Sequence, residues 1–390
     1  MTETVLNALT PTPLAAALAL QAGLKLELTG YRGVLTPQHL DAAGAETDAL
    51  LRGAAVHDLG WMRHVAVRGE DRARWLSGMV TNAVETLPKQ SGAYNLVLNA
   101  QGRIQGDAIV WHQGGSEGGV YELEVDAAQS EALLTHLDHF IIMDDVELLP
   151  LPGWTALGLA GPKAPEMLAA LGLPAPEADL TSANAPLDGG TIRVQRCHSP
   201  LVPRFALWIE ESQAADRWQR LIAAGATPVG SNALETLRIL EGTPAYGIDI
   251  QSRDLAQETS QMRALSFTKG CYLGQEIVER IRSRGQVHRH LRSLEIIPDN
   301  TGDDLPLPGT ELKLAGKPAG TLTSVTALTS LPALQLDGTQ PSGARRIFAI
   351  GMVRAEAEIS KEPLRYAGGE ARILTTPLEV RGGNAAEKNV

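Results

Sequence analysis

A change of sequence pattern near residue 293 constrains the fold of this chain more than any other feature. Before it, helical periodicity alternates with short apolar strands, whereas beyond it short strands are separated by turns rich in proline and glycine. Short strands at this spacing favour a small antiparallel barrel. The length of 390 residues also exceeds what one hydrophobic core usually serves. The sequence therefore predicts an α+β fold: a body of helices and strands with a C-terminal antiparallel β-barrel.

Proline- and glycine-rich interruptions suggest how the chain is divided into domains. We expect a first α+β lobe over residues 1–150, a second α+β lobe over residues 151–292, the barrel over residues 293–378 and a disordered tail over residues 379–390. In the first lobe, two strands joined by Ala100-Gln101-Gly102-Arg103 predict a β-hairpin. Asp107 lies on the second of these strands.

Composition excludes several classes of protein. The net charge of −11 argues against general nucleic-acid binding. The only cysteines are Cys197 and Cys271, too few for the usual four thiolates of a structural zinc or an iron–sulfur cluster, and no metal site is expected. The apolar segment from Thr10 to Leu20 is too short to span a bilayer and lacks a basic leader. We expect a cytoplasmic protein without a membrane partner.

Cys271 lies in the stretch Lys269-Gly270-Cys271-Tyr272-Leu273-Gly274-Gln275-Glu276. The first half of the stretch is typical of a loop and the second half of a helix, which places Cys271 at or just before a helix N-terminus and beside Lys269. The helix dipole and the lysine charge both favour a thiolate, which predicts a reactive cysteine. The alternative is a small buried residue in a turn.

The same stretch resembles the K-G-C-[FY]-x-G-Q-E signature of the YgfZ family of folate-binding proteins, which are linked to iron–sulfur cluster assembly and repair. That family is a branch of the superfamily that contains the glycine cleavage T-protein, an aminomethyltransferase. Three further blocks resemble superfamily motifs: residues 76–84, the hairpin that carries Asp107, and residues 238–249. The resemblance implies a T-protein-like folate-binding body followed by a β-barrel.

The resemblance implies a tetrahydrofolate-binding auxiliary protein that supports assembly or repair of iron–sulfur enzymes, with Cys271 as its key thiol. Folate and iron–sulfur client or assembly proteins would be its partners. The alternatives are a folate-dependent aminomethyltransferase or related demethylase, and an interaction protein with a vestigial folate pocket. Two departures weigh against the transferase: Gly106 stands where the T-protein has a second acid, and residues 197–204 lack the Y-T-G-E-x-G-F-E segment.

The matched blocks also supply candidate site residues. Arg238, Glu241 and Tyr246 provide a cation, a carboxylate and an aromatic ring, which suit the glutamate tail, the donor edge and the ring of a folate. The alternative is an intramolecular Arg–Glu pair with Tyr246 in the core. Asp107 occupies the acidic position of its block, where a functional carboxylate and a solvated strand-edge aspartate both remain open.

Two further residues complete the predicted site. Glu258 matches the glutamate of the superfamily stretch L-x-x-E-[ST], and Lys269 adds to a basic run between residues 280 and 292. Such a cluster in an acidic protein favours binding of a polyglutamate tail or an acidic partner, although a solvated helix face would need no ligand. Cys197 and the adjacent His198 are interpreted as structural, because neighbouring residues on a strand point to opposite faces.

Overall fold

The computed structural model describes residues 8–20, 26–114, 119–187, 190–285, 287–300, 305–328, 334–335, 345–375 and 377–380. In these residues the helices α1 to α9 span Pro13–Ala19, Ala43–Arg52, Arg72–Met79, Ala127–Asp138, Ala164–Ala170, Ala214–Ala223, Ser231–Leu240, Gln275–Arg284 and Ala355–Glu358. Short 3₁₀ helices span Glu211–Gln213, Ala256–Thr259 and Met262–Ala264. Within the described part of the chain, no helix is both long and apolar enough to cross a membrane.

A hairpin and a five-stranded sheet form the first part of the body. The hairpin consists of β1 (Leu28–Tyr31) and β2 (Val34–Pro37). The sheet consists of β4 (Met62–Arg68), β5 (Ser91–Leu98), β6 (Ile104–Gln113), β7 (Val120–Asp126) and β8 (Glu147–Pro150), in the order β5-β6-β7-β4-β8. The predicted hairpin is confirmed, because β5 pairs antiparallel with β6. One face of this sheet packs on α3 and α4 through a core that includes Trp75, Leu123 and Leu133.

A six-stranded sheet forms the second part of the body. Its strands are β3 (Ala55–Asp58), β9 (Trp154–Ala160), β10 (Ser182–Leu187), β11 (Gly190–Arg196), β12 (Arg204–Glu210) and β13 (Thr227–Val229), in the order β10-β11-β12-β9-β3-β13. β3 comes from the region before residue 150, so this sheet draws on both sides of the predicted lobe boundary. The domain boundaries themselves stay predictions.

The chain ends in a closed antiparallel barrel. Its strands are β14 (Arg289–Pro298), β15 (Glu311–Leu314), β16 (Lys317–Leu328), β18 (Arg346–Arg354), β19 (Leu364–Tyr366) and β20 (Gly369–Ile373), closed in the order β14-β18-β16-β15-β19-β20. The short strands β17 (Leu334–Gln335) and β21 (Glu379–Val380) pair with each other. The predicted α+β class and C-terminal barrel are confirmed. Residues 381–390 of the predicted tail lie outside the described residues.

A buried polar cluster joins the two sheets of the body. The ring of His64 on β4 lies between two carboxylates of β7, with Nδ1 3.0 Å from Glu122 and Nε2 3.3 Å from Glu124. Arg193 of the other sheet reaches Glu122 at 2.5 Å, and the ring of Trp208 lies 3.8 Å from the His64 ring. All of these groups except Arg193 are at least nine-tenths buried, so each charge needs its partners.

The cluster shifts two pKa values in opposite directions. Burial alone would lower the pKa of His64, but hydrogen bonds to Glu122 and Glu124 outweigh it and raise that pKa above 6.5. Burial alone would raise the pKa of Glu122, but His64 and Arg193 lower it to about 2. The contribution of Glu122 is therefore present above its ordinary pKa of 4.5 and is lost as the pH falls towards about 2.

We predict that His64 stabilises the fold mainly at mildly acidic pH. Its contribution is fully present below 6.5 and is lost as the pH rises through its raised pKa. His64→Gln should cost about 3 kcal/mol near pH 5.5 and clearly less near pH 9. Thermal melts at the two pH values measure this, with the exposed His139→Gln as the control. An equal loss for His64→Gln at both pH values would contradict the charged role of His64.

Candidate functional site

A cavity of about 170 Å³ lies where the β1–β2 hairpin, both sheets and α7 meet. Its polar and aromatic lining comes from distant parts of the chain, including Tyr31, Trp61, Asp107, Glu124, Arg204 and Arg263. Carboxylates, cations and aromatic rings thus line one partly open cavity. A site that combines a concave shape with ionisable groups of shifted pKa is the default candidate for binding or catalysis.

Asp107 is the ionisable centre of the cavity. Tyr94 donates its hydroxyl to Asp107 Oδ2 at 2.7 Å, and Gln129 donates Nε2 to Oδ1 at 2.6 Å. The backbone N–H of Asp107 donates in turn to Gln129 Oε1 at 3.0 Å, which fixes the strand against α4. Burial, followed by the charge of Asp126, raises the pKa of Asp107. The carboxyl group is therefore oriented and shifted towards the range useful for proton transfer.

The aromatic wall depends on a tight turn that the sequence motifs did not reveal. Arg32 and Gly33 join β1 to β2 with φ of 52° and 89°, as a two-residue turn of type I′ requires. A Cβ at Gly33 would lie 2.5 Å from the backbone nitrogen of Ala128, so only glycine allows the turn to approach α4. The turn places the Arg32 guanidinium 5.4 Å from the ring centroid of Trp61 and 2.6 Å from Asp126.

Arg263 supplies a second cation at the cavity. Its guanidinium lies 4.3 Å from the ring centroid of Tyr94, and its Nε donates to Gln261 at 3.2 Å. Burial, as the largest cause, lowers the pKa of Arg263. The described residues form no ion pair with Arg263 within 4 Å, unlike Arg32, so its charge is available to an anion.

Arg238 lines the cavity but is committed to the protein. Nε and Nη2 donate to Glu235 at 3.0 and 2.5 Å, and Nη1 donates to Asp249 at 2.5 Å. The remaining donors reach the carbonyl of Thr243 at 2.8 Å and the hydroxyl of Ser324 at 2.7 Å. A guanidinium has five donors, and these contacts use them all. Arg238 therefore has no donor left for a ligand, contrary to its predicted role. Its hydrogen bonds instead connect α7 to the barrel.

Glu241 and Tyr246 are not among the residues that line the cavity. The Glu241 carboxylate is fully buried; it accepts a hydrogen bond from the Ser199 hydroxyl and lies 3.7 Å from Arg204. Burial raises the pKa of Glu241. Tyr246 packs against the central core and is half-buried. The alternative of an Arg238–Glu241 pair is not what the structure shows, because Glu241 lies near Arg204 and its Oε2 has no hydrogen-bond partner among the described residues. The carboxylates and rings of this cavity come from other residues.

Lys269 anchors the loop that carries Cys271. Its ammonium group donates to the carbonyls of Ser77, Val80 and Asn82 at 2.6, 2.7 and 2.9 Å, and burial lowers its pKa to about 8. These carbonyls lie in and just after the last turn of α3, where backbone acceptors lack helical partners. Lys269 therefore fixes the loop to α3. Its three N–H donors are occupied, so none is left for the predicted contact with an anion.

Cys271 is exposed and lies outside the cavity lining. Helix α8 begins at Gln275 after Gly274, so the thiol precedes the helix cap by three residues and is not at the helix N-terminus itself. The other cysteine, Cys197, does line the cavity. Burial raises the pKa of the Cys197 thiol to about 12, so this thiol stays protonated, in line with a structural role.

Glu258 and residues of the basic run form ion pairs where the body meets the barrel. Glu258 accepts from the backbone of Leu255 at 2.8 Å and pairs with Arg289 at 2.9 Å. α8 ends at Arg284, so the later part of the run lies on strand β14 instead of continuing the helix. There His290 and Arg292 both pair with Glu358 at 2.5 Å. The run is therefore divided between two elements and is partly neutralised by acidic partners.

A larger cavity of about 450 Å³ lies against the six-stranded sheet near α6. Apart from Arg217 and Arg220, its lining is aliphatic and includes Leu157, Leu207 and Leu221. It offers neither a carboxylate nor an aromatic ring among the described residues. Size alone therefore does not identify the site. The smaller cavity around Asp107 is the better candidate, because carboxylates, cations and aromatic rings line it.

We predict that Lys269 is needed for folding of the signature loop. Lys269→Met leaves three backbone carbonyls without their donor, at a cost of about 1–3 kcal/mol or more. The melting temperature should fall clearly, whereas the exposed Lys317→Met should leave it unchanged. A Lys269→Met protein as stable as the wild type would show that the three hydrogen bonds contribute nothing.

Comparison with known proteins identifies the fold. Residues 29–269 match the family described as the GCVT N-terminal domain. An aminomethyltransferase of Rubrobacter xylanophilus is 28% identical over 373 residues, which cover 93% of both chains. An aminomethyltransferase of Deinococcus deserti is 31% identical over 254 residues, which cover 63% of this chain and 68% of that protein.

A solved structure agrees with the sequence comparisons. The glycine cleavage system aminomethyltransferase T of Bartonella henselae superimposes with a TM-score of 0.78 at 19% identity, covering 95% of this chain and 98% of that one. The predicted T-protein-like fold is confirmed, whereas membership of the YgfZ branch stays a prediction. The chain belongs to the GCVT family, within the superfamily of the glycine cleavage T-protein.

Proposed function

We propose that this protein binds tetrahydrofolate in the cavity around Asp107 and acts as a folate-dependent aminomethyltransferase or a related one-carbon transferase. The observation that carries the proposal is a buried carboxylate of raised pKa, held by two hydrogen-bond donors in a cavity with aromatic and cationic walls. A relative named aminomethyltransferase matches 93% of the chain, which supports this reaction class.

The cavity suits the ring system of a folate. At about 170 Å³ it is smaller than the roughly 300–1,000 Å³ of sites that enclose a whole drug-sized ligand, so it would hold the pteridine ring while the tail extends outwards. Tyr31 and Trp61, whose rings meet edge to face at 5.8 Å, provide an apolar wall. Arg263 offers a guanidinium to the carboxylates of the tail.

Asp107 would serve as the proton-transfer group. Bound tetrahydrofolate would supply the nitrogen atoms that accept a one-carbon unit. A carboxyl group of raised pKa exchanges protons near neutral pH more readily than an ordinary aspartate does. Tyr94 and Gln129 would keep its two oxygens oriented towards the bound ring.

Close packing around Gly106 explains why the strand has a glycine, and not a second acid, before Asp107. A Cβ at Gly106 would lie 2.8 Å from both Gln129 Oε1 and Leu133 Cδ1. An acid at residue 106 would therefore displace Gln129, which orients Asp107. Since the T-protein motif has an acid there, we expect this chain to differ from the T-protein in rate or in substrate.

A second candidate function is the tetrahydrofolate-binding auxiliary role in maintaining iron–sulfur enzymes. The observation in its favour is the exposed thiol of Cys271, on a loop that Lys269 anchors and that stands apart from the cavity. An accessible thiol can react with a partner protein, whereas the chemistry at Asp107 needs no thiol. In this case folate would be bound while Cys271 acts on the client.

We predict that Asp107→Asn separates binding from chemistry. Loss of a general acid–base group should lower tetrahydrofolate-dependent ammonia release from an aminomethylated carrier protein by about 10²–10⁴-fold. Calorimetry should show that the variant still binds tetrahydrofolate within a few-fold of wild type, because the amide keeps the shape of the side chain. Absence of tetrahydrofolate binding by the wild type would refute the proposal.

Cys271→Ser distinguishes the two candidate functions. For the transferase we expect wild-type binding and wild-type ammonia release, because Cys271 lies outside the cavity lining. For the auxiliary role we expect wild-type binding but reduced activity of iron–sulfur enzymes in cells that carry only the variant. Thr268→Ser is the matched control, because Thr268 is exposed on the same loop and lies outside the cavity lining.

A further inference from the structure

Three carboxylates, those of Asp107, Glu124 and Asp126, line the cavity, and their partners differ. Both oxygens of Asp107 accept hydrogen bonds from the protein, and Asp126 is paired through Oδ2 with the cation Arg32 at 2.6 Å. Glu124 directs only one oxygen at the protein: Oε2 accepts from Trp111 Nε1 at 2.9 Å and faces His64 Nε2 at 3.3 Å. Among the described residues, none donates a hydrogen bond to Oε1.

The position of Glu124 in the cavity wall makes its Oε1 oxygen a candidate ligand contact. The residue is only 8% exposed, yet it forms part of the cavity wall. Oε1 is not one of the fully buried atoms, so it is accessible from the cavity, where a ligand or water can donate a hydrogen bond to it. Trp111 and His64 fix the side chain from behind, so its orientation is set before anything binds.

A fixed carboxylate in a concave site can recognise a planar group that presents N–H donors along one edge. The pteridine ring of a folate carries an amino group and a ring N–H side by side on its pyrimidine edge. The aromatic wall of Tyr31 and Trp61 suits the flat ring itself. The cavity thus offers both the apolar and the polar contacts that this ring needs.

The other two acids of the cavity lining are less suited to this task, because Asp107 has both oxygens engaged and Asp126 is paired with the cation Arg32. Glu241 is fully buried, is bonded to Ser199 and does not line the cavity. The loop between β11 and β12, where the T-protein has its acidic segment, contributes Cys197 and His198. Glu124 on β7 is therefore the best-placed acceptor for such an edge.

We propose that Glu124 is the residue that recognises the amino-substituted edge of the pteridine ring and so determines specificity for folate. The inference deepens the proposed function, because it rests on tetrahydrofolate being the ligand. A purely structural role for Glu124, as the partner of His64 and Trp111, makes no prediction about ligand chemistry. The two roles can therefore be separated by changing the ligand instead of the protein alone.

The test compares calorimetric binding of tetrahydrofolate with binding of 2-desamino-2-methyltetrahydrofolate, which lacks the amino donor. Wild-type protein should prefer tetrahydrofolate by about 10–100-fold, the value of a charge-assisted hydrogen bond. Glu124→Gln should bind tetrahydrofolate more weakly and should lose most of this preference. The control is Glu122→Gln, which removes the other carboxylate from His64 without altering the cavity lining, and it should keep the preference.

Each outcome has one meaning. If the wild type binds neither compound, the proposed function itself fails. If the wild type binds both compounds equally, or if Glu124→Gln keeps the full preference, the assignment of Glu124 is overturned while folate binding stands. Should Glu124→Gln fail to fold, Glu124→Asp retains a charge for His64 but withdraws the oxygen from the ring, and it should weaken tetrahydrofolate binding and lower the same ratio.

Discussion

The contact of His64 with Glu122 and Glu124 is the interaction on which the body of this protein depends. It places an imidazole between two carboxylates at the interface of the two sheets, with Arg193 and Trp208 contributed by the second sheet. Removing one partner would leave an uncompensated buried charge, so the sheets and the cavity between them hold together as one arrangement. Glu124 belongs to this cluster and also to the cavity wall, which couples the stability of the fold to the shape of the site.

A second cluster ties the body to the barrel. Arg238 on α7 and Asp249 in the following loop meet Ser324 of β16, and Asp249 also accepts from Thr323. Every donor of Arg238 is used, which explains how a residue at the cavity edge serves the architecture and not a ligand. The two polar clusters thus determine where the sheets, α7 and the barrel meet, and the cavity lies among these elements.

Local patterns in the sequence were sufficient for the class of fold, the hairpin with Asp107 and the barrel. Long-range packing was not visible in them. The alternating strand around Glu122 and Glu124 suggests one apolar and one solvated face, but the second sheet covers the face with the glutamates. Likewise, the motif with Arg238 and Glu241 indicates chemistry of the right kind, yet only the structure shows that Asp249 and Ser199 already engage these side chains.

The central claim is that a reduced folate occupies the cavity around Asp107. The most direct measurement is a crystal structure of the protein grown with tetrahydrofolate. The account predicts the pteridine ring within hydrogen-bond distance of Asp107 and Glu124, with the tail directed towards Arg263. Folate bound elsewhere, in the aliphatic cavity near α6 or beside Cys271, would contradict it.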